Sequence, residues 1–258
     1  MKLSVVIPCR NEEGCVEETL SLVRNALTHE AIPYEIIVVD DGSTDSTALL
    51  VNQLAAHDAN IRYVHNGGSG GFGMAVRLGL SRASGEALAV MMADGSDSPC
   101  DLIQYYRKLR EGYECVFGSR FISGGRVLGY PLHKLILNRL ANSFIQLLFG
   151  LRFNDTTNAF KCYRRAVLDG LQPLLSSHFN LTVELPLKAI VRGYSYAIVP
   201  ITWTNRKAGI SKLRIKEMGS RYLFIVLYVW LEKHLTHGDY HRADAAPAEE
   251  TGTPLPHV

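Results

Sequence analysis

Short apolar runs rich in β-branched residues recur through the first half of the chain, and they constrain the fold more than any other feature. They lie at 3–8, 34–40, 61–65, 87–93 and 115–121. Stretches with apolar residues at helical spacing separate them, near 14–28, 45–56, 73–84 and 99–111. Strands that alternate with helices predict an α/β fold, in which a mostly parallel sheet is buried between helices on both faces.

The second half of the chain has a different pattern. Two long stretches, 130–151 and 215–233, carry apolar residues at helical spacing with cations between them. This spacing predicts two amphipathic helices. A further strand is predicted at 194–203, and the segment 154–167 is polar and basic.

The formal charge is unevenly distributed, although the 258 residues carry only +2 in total. Residues 1–100 carry a net −7, residues 101–235 a net +12 and residues 236–258 a net −3. An acidic first part and a basic second part suggest two binding tasks on one chain, with uneven surface decoration as the alternative. The last segment is small, polar and proline-containing, so we expect a disordered tail.

The cysteines and the apolar segments limit the cellular setting. Five cysteines without a C-x-x-C pair predict free thiols in a reducing compartment, with neither a disulfide framework nor a zinc site. The longest apolar run, 222–231, falls short of the ~20 residues that a membrane-spanning helix needs. We therefore expect a cytoplasmic protein that is soluble or lies on a membrane surface.

Acidic residues follow the predicted strands at the carboxyl ends, where ligands bind to parallel α/β sheets. Asp40 and Asp41 end the second strand, and Asp94 follows the fourth. Carboxylates at this edge can accept hydrogen bonds from a ribose or a base and can hold a divalent cation. Helix capping is the alternative, and we favour it for Asp45 and for Asp101, the last residue of an apparent capping box.

A glycine-rich loop at 67–73 contains a G-x-G-x-x-G pattern between the third strand and the next helix. This pattern can bind the pyrophosphate of a dinucleotide, and Glu86 lies near the acidic offset that such sites use. Because the motif follows the third strand and not the first, we consider a dehydrogenase only as an alternative.

Three motifs at the strand ends resemble the signatures of family 2 glycosyltransferases of the GT-A fold: VVIPCRNEE, EIIVVDDGSTDST and MMADGSDSP. Later segments are similar to the polyprenyl-phosphate glycosyltransferases, the branch that includes the dolichol-phosphate mannose synthases. These segments are GSRFISGG, YPLHKLILNRLAN, NDTTNAFKCYRR and NRKAGISKL. The resemblance runs from about residue 3 to 233, and the order of the motifs makes it specific.

The resemblance implies an inverting transferase that moves a sugar from a nucleotide-sugar, of GDP-mannose or UDP-glucose type, to a polyprenyl or dolichyl phosphate. It implies one GT-A catalytic domain at 1–235, with a nucleotide-sugar-binding half at 1–122 and an acceptor-binding half at 123–235. The positions that match donor-binding residues are Pro8, Arg10, Glu12, Asp40, Asp41, Asp94, Arg206, Ser211 and Lys212.

The reaction needs cations at two places, because the leaving diphosphate and the acceptor phosphate are both anions. The resemblance assigns Arg120, Lys134 and Asn138 to the acceptor phosphate, and Arg139 is a further cation suited to steering it. The residues expected to be catalytic are Asp94, Arg120, Arg206 and Lys212.

The metal site departs from the family pattern. Met92 replaces the first acid of the D-x-D element that binds Mg²⁺ or Mn²⁺, and Asp94 is the second. Methionine is a poor ligand for a hard cation. We therefore expect Asp94, Asp97 and donor phosphate oxygens to hold the metal, since Mg²⁺ often uses one or two carboxylates with phosphates and waters.

A polyprenyl acceptor implies contact with a membrane. We expect the two amphipathic helices to lie on its cytoplasmic face, with packing of both helices into the core as the alternative. No nucleic-acid motif accompanies the basic residues, so no nucleic-acid partner is expected, while a membrane-protein partner and the oligomeric state stay open. Two other functions stay open: transfer to a soluble hydroxyl acceptor, for which Glu184 would be the base or else a buried paired acid, and nucleotide-sugar binding without catalysis.

Overall fold

The computed structural model describes residues 1–68, 70–205 and 215–242, with side chains from 219 onwards in the last range. The strands are β1 (Leu3–Cys9), β2 (Tyr34–Asp40), β3 (Ile61–His65), β4 (Ala87–Val90), β5 (Cys115–Ser119), β6 (Arg126–Leu128), β7 (Lys161–Arg164), β8 (Tyr196–Pro200) and β9 (Thr202–Thr204). The helices are α1 (Val16–His29), α2 (Thr47–His57), α3 (Phe72–Arg82), α4 (Pro99–Arg110), α5 (Leu132–Phe149), α6 (Arg165–Gly170), α7 (Leu181–Val191) and α8 (Ile215–Leu235).

The main sheet has the strand order β3-β2-β1-β4-β7-β5-β8, and β6 pairs with β9 in a small separate sheet. Every pair in the main sheet is parallel except those made by β7, which runs antiparallel to both β4 and β5. The predicted α/β fold with a mostly parallel sheet is confirmed. Strands from both halves of the chain share this sheet.

Strand β7 lies inside the segment that the sequence marks only as polar and basic. It is four residues long, and its first residue, Lys161, is 1% exposed. The Lys161 ammonium donates to the carbonyl oxygens of Thr156 and Thr182 at 3.0 and 3.1 Å, and burial lowers its pKa to about 7. A lysine in a sequence indicates a surface position, so the sequence does not predict a buried strand that begins with Lys161.

The predicted strand at 194–203 is two strands in two different sheets. β8 ends at Pro200, which pairs with Ser119 of β5, and β9 begins at Thr202 beside β6. The predicted strands at 87–93 and 115–121 are also shorter than expected, since they end at Val90 and Ser119. The loops after them are correspondingly longer.

Apolar layers cover both faces of the main sheet. Along β1, the side chains of Val5 and Ile7 pack in the layer that contains α1 and α4, while Val6 packs in the layer that contains α3 and α7. Burial on both faces explains why the parallel strands are continuous apolar runs and not alternating ones. A third cluster joins α5, α7 and α8 through Ile145, Phe149, Val183, Leu187, Ile225, Val226 and Val229.

The end of the described chain is ordered further than expected. Residues 236–242, part of the predicted disordered tail, form turns, and the Arg242 guanidinium contacts the Glu114 carboxylate. Residues 243–258 lie outside the described residues. Among the helices in the described ranges, none is both long enough and apolar enough to cross a membrane.

Candidate active site

The loops that follow β1 and β2 hold each other through hydrogen bonds. The side-chain oxygen of Asn11 accepts the Thr44 N–H at 2.7 Å, and the Asn11 N–H donates to the Ser43 hydroxyl at 2.9 Å. The Glu12 N–H donates to the Thr47 hydroxyl at 2.9 Å. The two acidic loops therefore form one edge, as the sequence predicts for the carboxyl ends of neighbouring parallel strands.

Asp40 accepts hydrogen bonds from neighbouring residues at this edge of the sheet. One carboxylate oxygen accepts the N–H and the hydroxyl of Ser43 at 3.0 and 2.5 Å, and the other accepts the Tyr63 hydroxyl at 3.0 Å. Burial, together with the Asp40 charge, raises the pKa of Tyr63 to about 12. The His65 ring lies 3.7 Å from the same carboxylate. The hydroxyl and imidazole beside Asp40 are polar groups available to a nucleoside.

Asp41 joins the first loop to the glycine-rich loop. Its carboxylate accepts the Gly71 N–H at 2.8 and 3.0 Å and the side-chain amide of Asn66 at 2.8 Å. The Arg10 guanidinium lies 3.8 Å from it and is 54% exposed, so it can reach an anion in solvent. Pro8, by contrast, is buried within β1.

The glycines at 71 and 73 serve a contact within the chain. A Cβ on Gly71 would lie 2.6 Å from the carbonyl oxygen of Ser177, and a Cβ on Gly73 would lie 2.7–2.8 Å from the backbone of residues 176–178. Gly73, the last glycine of the G-x-G-x-x-G pattern, therefore has a structural role that does not depend on a dinucleotide.

The acids after β4 differ from each other. The Asp94 carboxylate accepts the Ser96 N–H at 3.1 Å, and the Asp97 carboxylate accepts the Met92 N–H at 3.0 Å. Burial raises the pKa of Asp97 to about 7, with a further upward contribution from the Asp94 charge. Asp97 also forms a β-bridge with Trp203. Asp97 thus organises the loop, which weakens its predicted role as a metal ligand.

The predicted capping box before α4 is wrong. The Ser98 side chain makes no capping hydrogen bond, and Asp101 is turned to the small sheet, where its carboxylate accepts the Thr202 N–H at 2.9 Å. Asp45, by contrast, accepts both the N–H and the hydroxyl of Thr47 at 3.0 and 2.6 Å, which confirms its structural assignment at the start of α2.

Arg120 is held by a partner that the sequence analysis did not single out. Its side chain is 5% exposed and forms a two-pronged ion pair with Asp155 at 2.7 and 2.6 Å. Asp155 keeps the pKa of Arg120 above its ordinary value, against the opposing effect of burial. The rings of Tyr130 and Trp203 lie 5.7 and 5.9 Å from the guanidinium carbon. This differs from the prediction that Arg120 contacts the acceptor phosphate, because two nitrogens of its guanidinium already donate to the Asp155 carboxylate.

The other predicted acceptor residues lie on α5. The Asn138 amide donates to the Thr157 hydroxyl at 2.8 Å, and Arg139 donates to the Asn154 carbonyl at 3.2 Å. Lys134 lies one turn before Asn138 and is half-buried. The start of α5 therefore contacts the 154–157 loop that also holds Arg120.

Glu184 is not the base that a hydroxyl acceptor would need. It is fully buried, and its carboxylate lies 2.8 Å from the Lys188 ammonium. The same carboxylate accepts the N–H groups of Leu175 and Ser176, each at 2.8 Å. The alternative of a buried acid paired with a basic neighbour is confirmed.

The predicted basic loop with Arg206, Ser211 and Lys212 lies outside the described residues. The residues just before it lie beside the loop that follows β4. The Thr204 N–H donates to the Ser96 carbonyl at 3.0 Å, and the Asn205 N–H donates to the Leu128 carbonyl at 2.8 Å. The segment therefore departs from a point next to the loop that carries Asp94.

Comparison with known proteins identifies this arrangement. Residues 4–171 match glycosyl transferase family 2. The chain belongs to this family. A polyprenol monophosphomannose synthase of Mycolicibacterium smegmatis is 34% identical over 215 residues, which cover 81% of this chain and 80% of that protein. A dolichol-phosphate mannosyltransferase of Pyrococcus furiosus is 31% identical over 219 residues, which cover 84% of this chain and 60% of that protein.

The solved structures similar to this family 2 glycosyltransferase support its fold. Glucosyl-3-phosphoglycerate synthase from Mycobacterium tuberculosis, in complex with Mn²⁺, UDP-glucose and phosphoglyceric acid, superposes with a TM-score of 0.66. The identity is 18%, over 90% of this chain and 79% of that chain. The same enzyme in complex with Mg²⁺ and UDP gives a TM-score of 0.64 at 19% identity. The likeness confirms the GT-A architecture predicted for the chain.

The residues of this glycosyltransferase fit a metal only together with its substrate. In the described ranges, no group of three or more His, Cys, Asp or Glu side chains could hold an ion by itself. A single carboxylate, Asp94, with diphosphate oxygens and water is a set that Mg²⁺ accepts. A metal bound here would therefore need oxygens of the donor beside Asp94.

One face of the glycosyltransferase is apolar and exposed. On α5, Leu140 is 62% and Leu147 86% exposed, and on α8, Phe224 is 61% exposed. The two helices contact each other, since the Lys233 ammonium donates to the Phe149 carbonyl at 2.9 Å and residues of both helices belong to one buried cluster. We name this face the α5–α8 apolar surface: Leu132, Ile136, Leu137, Leu140, Phe144, Leu147, Leu223, Phe224, Leu227, Leu231 and Leu235. Both helices bury another side in the third apolar cluster, so the alternative of packing into the core holds for that side.

Proposed function

We propose that this protein transfers a sugar from a nucleotide diphosphate donor to a polyprenyl phosphate, with inversion at the anomeric carbon. The observation that carries the proposal is the position of the α5–α8 apolar surface beside a glycosyltransferase site. The start of α5 contacts the 154–157 loop, and that loop holds Arg120 next to Trp203 and the acidic loop. The names of the two relatives, both polyprenyl-phosphate mannose transferases, agree with such an acceptor.

The donor is proposed to lie across the acidic edge formed by the loops after β1, β2 and β4. Arg10 and Glu12 would contact the nucleotide from the first loop, with Asp40 and Asp41 positioned behind them. Asp94 would hold Mg²⁺ or Mn²⁺ against the diphosphate. When bound, the ion neutralises charge that develops on the leaving group, which is a large contribution in reactions of this type. Arg206, Ser211 and Lys212 are proposed to contact the same diphosphate.

The acceptor phosphate is ionised near pH 7, so it needs no strong general base. It needs cations that bring two anions together. Lys134 and Arg139 are proposed to contact it directly, with Asn138 as a polar neighbour. Arg120 is proposed to act beside them through Asp155, by fixing the aromatic wall of Tyr130 and Trp203. Attack from the face opposite the diphosphate gives inversion.

The α5–α8 apolar surface is proposed to rest on the cytoplasmic face of a membrane. An exposed apolar area on two side-by-side helices binds the lipid boundary in proportion to the area that it buries there. The described chain has no spanning helix, and all five cysteines are free thiols. Peripheral attachment would bring the site to an acceptor whose phosphate lies at the headgroup level.

The direct test is incubation of the protein with labelled GDP-mannose or UDP-glucose, polyprenyl phosphate in liposomes and Mg²⁺. A lipid-extractable labelled product is expected with one donor. The absence of such a product with every donor and metal would overturn the proposal. Transfer only to a soluble hydroxyl acceptor would favour the second function, and nucleotide binding without turnover would favour a non-catalytic protein.

Removal of the acceptor cations is expected to act on the acceptor alone. Lys134→Ala and Arg139→Ala should each raise the KM for polyprenyl phosphate about tenfold, because each removes a charge-assisted contact worth roughly 1.5–3 kcal/mol before solvent screening. The KM for the nucleotide-sugar should stay within about twofold, since the donor lies on the acidic edge. Steady-state kinetics with each substrate varied in turn provides the measurement.

The matched control is Lys108→Ala, because Lys108 of α4 is a partly exposed lysine paired with Glu111, the residue that follows the helix. It should leave both KM values unchanged. A rise in the donor KM with no change in the acceptor KM would contradict the assignment of Lys134 and Arg139.

A further inference from the structure

A buried ion pair on α7 is connected to the glycine-rich loop by an unbroken series of contacts. Glu184 and Lys188 are both fully buried and lie 2.8 Å apart, one turn from each other on α7. Glu184 is fully buried and already paired, so it does not act as a base. Burying two charges costs desolvation free energy, so this pair points to a role other than stabilising the fold.

The pair fixes the segment 173–178. The Glu184 carboxylate accepts two successive backbone N–H groups, those of Leu175 and Ser176, at 2.8 Å each. The Lys188 ammonium donates to the Pro173 carbonyl at 2.5 Å. Three backbone groups of one short segment are therefore set by two side chains of one helix. Charge-assisted bonds of this kind are stronger than neutral ones.

The same segment is the surface on which the glycine-rich loop rests. The Ser177 carbonyl accepts the Met74 N–H at 3.2 Å, and the Phe72 and Phe179 rings stack with centroids 4.3 Å apart. Gly71 and Gly73 approach the backbone of 176–178 so closely that neither could carry a Cβ without displacement. A shift of the segment would therefore move the glycine-rich loop.

The glycine-rich loop in turn orients Asp41. The Gly71 N–H contacts both oxygens of the Asp41 carboxylate, at 2.8 and 3.0 Å. One of these two oxygens also lies 3.8 Å from the Arg10 guanidinium, which is exposed to solvent. Asp41 is 8% exposed, so its contacts within the protein decide where it points.

We infer that Glu184 and Lys188 are positioning residues for donor binding: through the segment 173–178 and the glycine-rich loop they set Asp41 and Arg10 for the nucleotide. The inference rests on the proposed function, because it requires a nucleotide at Asp41. It predicts that a change on α7 weakens donor binding without slowing the bond-breaking step. The pair itself contacts neither substrate.

Two variants test this inference, one on each side of the contact between the segment 173–178 and the glycine-rich loop. Glu184→Gln removes the charge that holds Leu175 and Ser176, and Gly73→Ala places a methyl group against the backbone of 176–178. Alanine favours helix over glycine, so a loss in Gly73→Ala cannot come from helix propensity. For both variants we expect the Kd for GDP or UDP with Mg²⁺, and the donor KM, to rise about tenfold, with kcat within about twofold of the wild type.

The matched control is Glu232→Gln. Glu232 of α8 forms a buried pair with Arg192, the residue that follows α7, at 2.8 and 3.1 Å. Arg192 also donates to the carbonyls of Gly170 and Gln172, so this control alters an ion pair next to the segment 173–178 without removing a hydrogen bond to that segment. It should lower the Tm by an amount comparable to Glu184→Gln and leave the nucleotide Kd unchanged. A comparable rise of the Kd in Glu232→Gln would overturn the inference, because general destabilisation would then explain the effect.

Wild-type Kd values in both test variants would also overturn the inference. If Glu184→Gln does not fold, Gly73→Ala decides, since it leaves the ion pair intact. A wild-type protein that binds neither nucleotide would instead overturn the proposed function, and calorimetric titration of the wild type is therefore done first.

Discussion

Asp94→Asn is expected to lower kcat by at least about 100-fold, the scale of effect seen when a group that stabilises transition-state charge is removed. The proposed metal ligand is Asp94, because Met92 stands at the first position of the expected D-x-D element and the Asp97 carboxylate accepts the Met92 N–H. Asparagine keeps the size and one oxygen, and with it the hydrogen bond from Ser96, but removes the charge that holds the cation. The measurement is turnover at saturating donor over a range of Mg²⁺ and Mn²⁺ concentrations.

Two further variants sharpen this result. Asp101→Asn is the matched control, because Asp101 is a nearby buried carboxylate that accepts the Thr202 N–H and the Gln104 side-chain amide. It should keep kcat within a few-fold. Met92→Asp restores a second acid and should lower the metal concentration needed for half-maximal turnover. Unchanged turnover in Asp94→Asn would remove Asp94 from the mechanism.

The second large effect is expected at the membrane. Leu140→Glu, Phe144→Glu and Leu227→Glu combined should abolish binding to anionic liposomes and lower transfer to membrane-embedded acceptor by at least about 100-fold. Each of these side chains is 43–62% exposed. The full burial of one such side chain in lipid would contribute roughly 1.5–3 kcal/mol, and glutamate reverses that preference. Flotation of liposomes with bound protein measures the binding.

The control uses apolar residues on another part of the surface. Leu22 of α1 and Leu49 of α2 are 50% and 60% exposed. Leu22→Glu with Leu49→Glu should leave both flotation and transfer unchanged. Transfer to a short-chain polyprenyl phosphate in detergent should survive in the triple variant, which separates a membrane defect from a damaged site. Flotation of the triple variant equal to the wild type would contradict the proposed attachment.

The sequence predicts best those strands whose pattern depends only on burial. Strands buried on both faces must be apolar throughout, so β1, β2 and β4 are visible as runs in the sequence. Strand β7 is hidden because its first residue is a lysine, whose burial depends on backbone carbonyls of the preceding loop and of α7. The contact with α7 arises only from tertiary packing.

The candidate site shows the same division. That Asp40, Asp41 and Asp94 lie at one edge follows from strand direction alone. That Arg120 faces Asp155, and Glu184 faces Lys188, depends on tertiary packing. The second pair is at helical spacing and could be anticipated as a salt bridge, yet its burial could not. Asp155 is the acidic residue of the motif N-D-T-T. Its role follows from the ion pair with the buried Arg120, which the motif itself does not indicate.

Strand β7 also decides what can fold alone. The strands β4 and β5 do not pair with each other; each pairs with one side of β7. Strands β1 to β4 therefore join β5 and β8 only after the chain has passed through α5 and returned. Such long-range closure costs loop entropy and slows folding.

A fragment that stops at residue 122 would leave β4 with an open edge, which invites aggregation. We therefore expect that residues 1–122 do not fold as an independent unit, and fusion or truncation designs should keep the chain through β8 together.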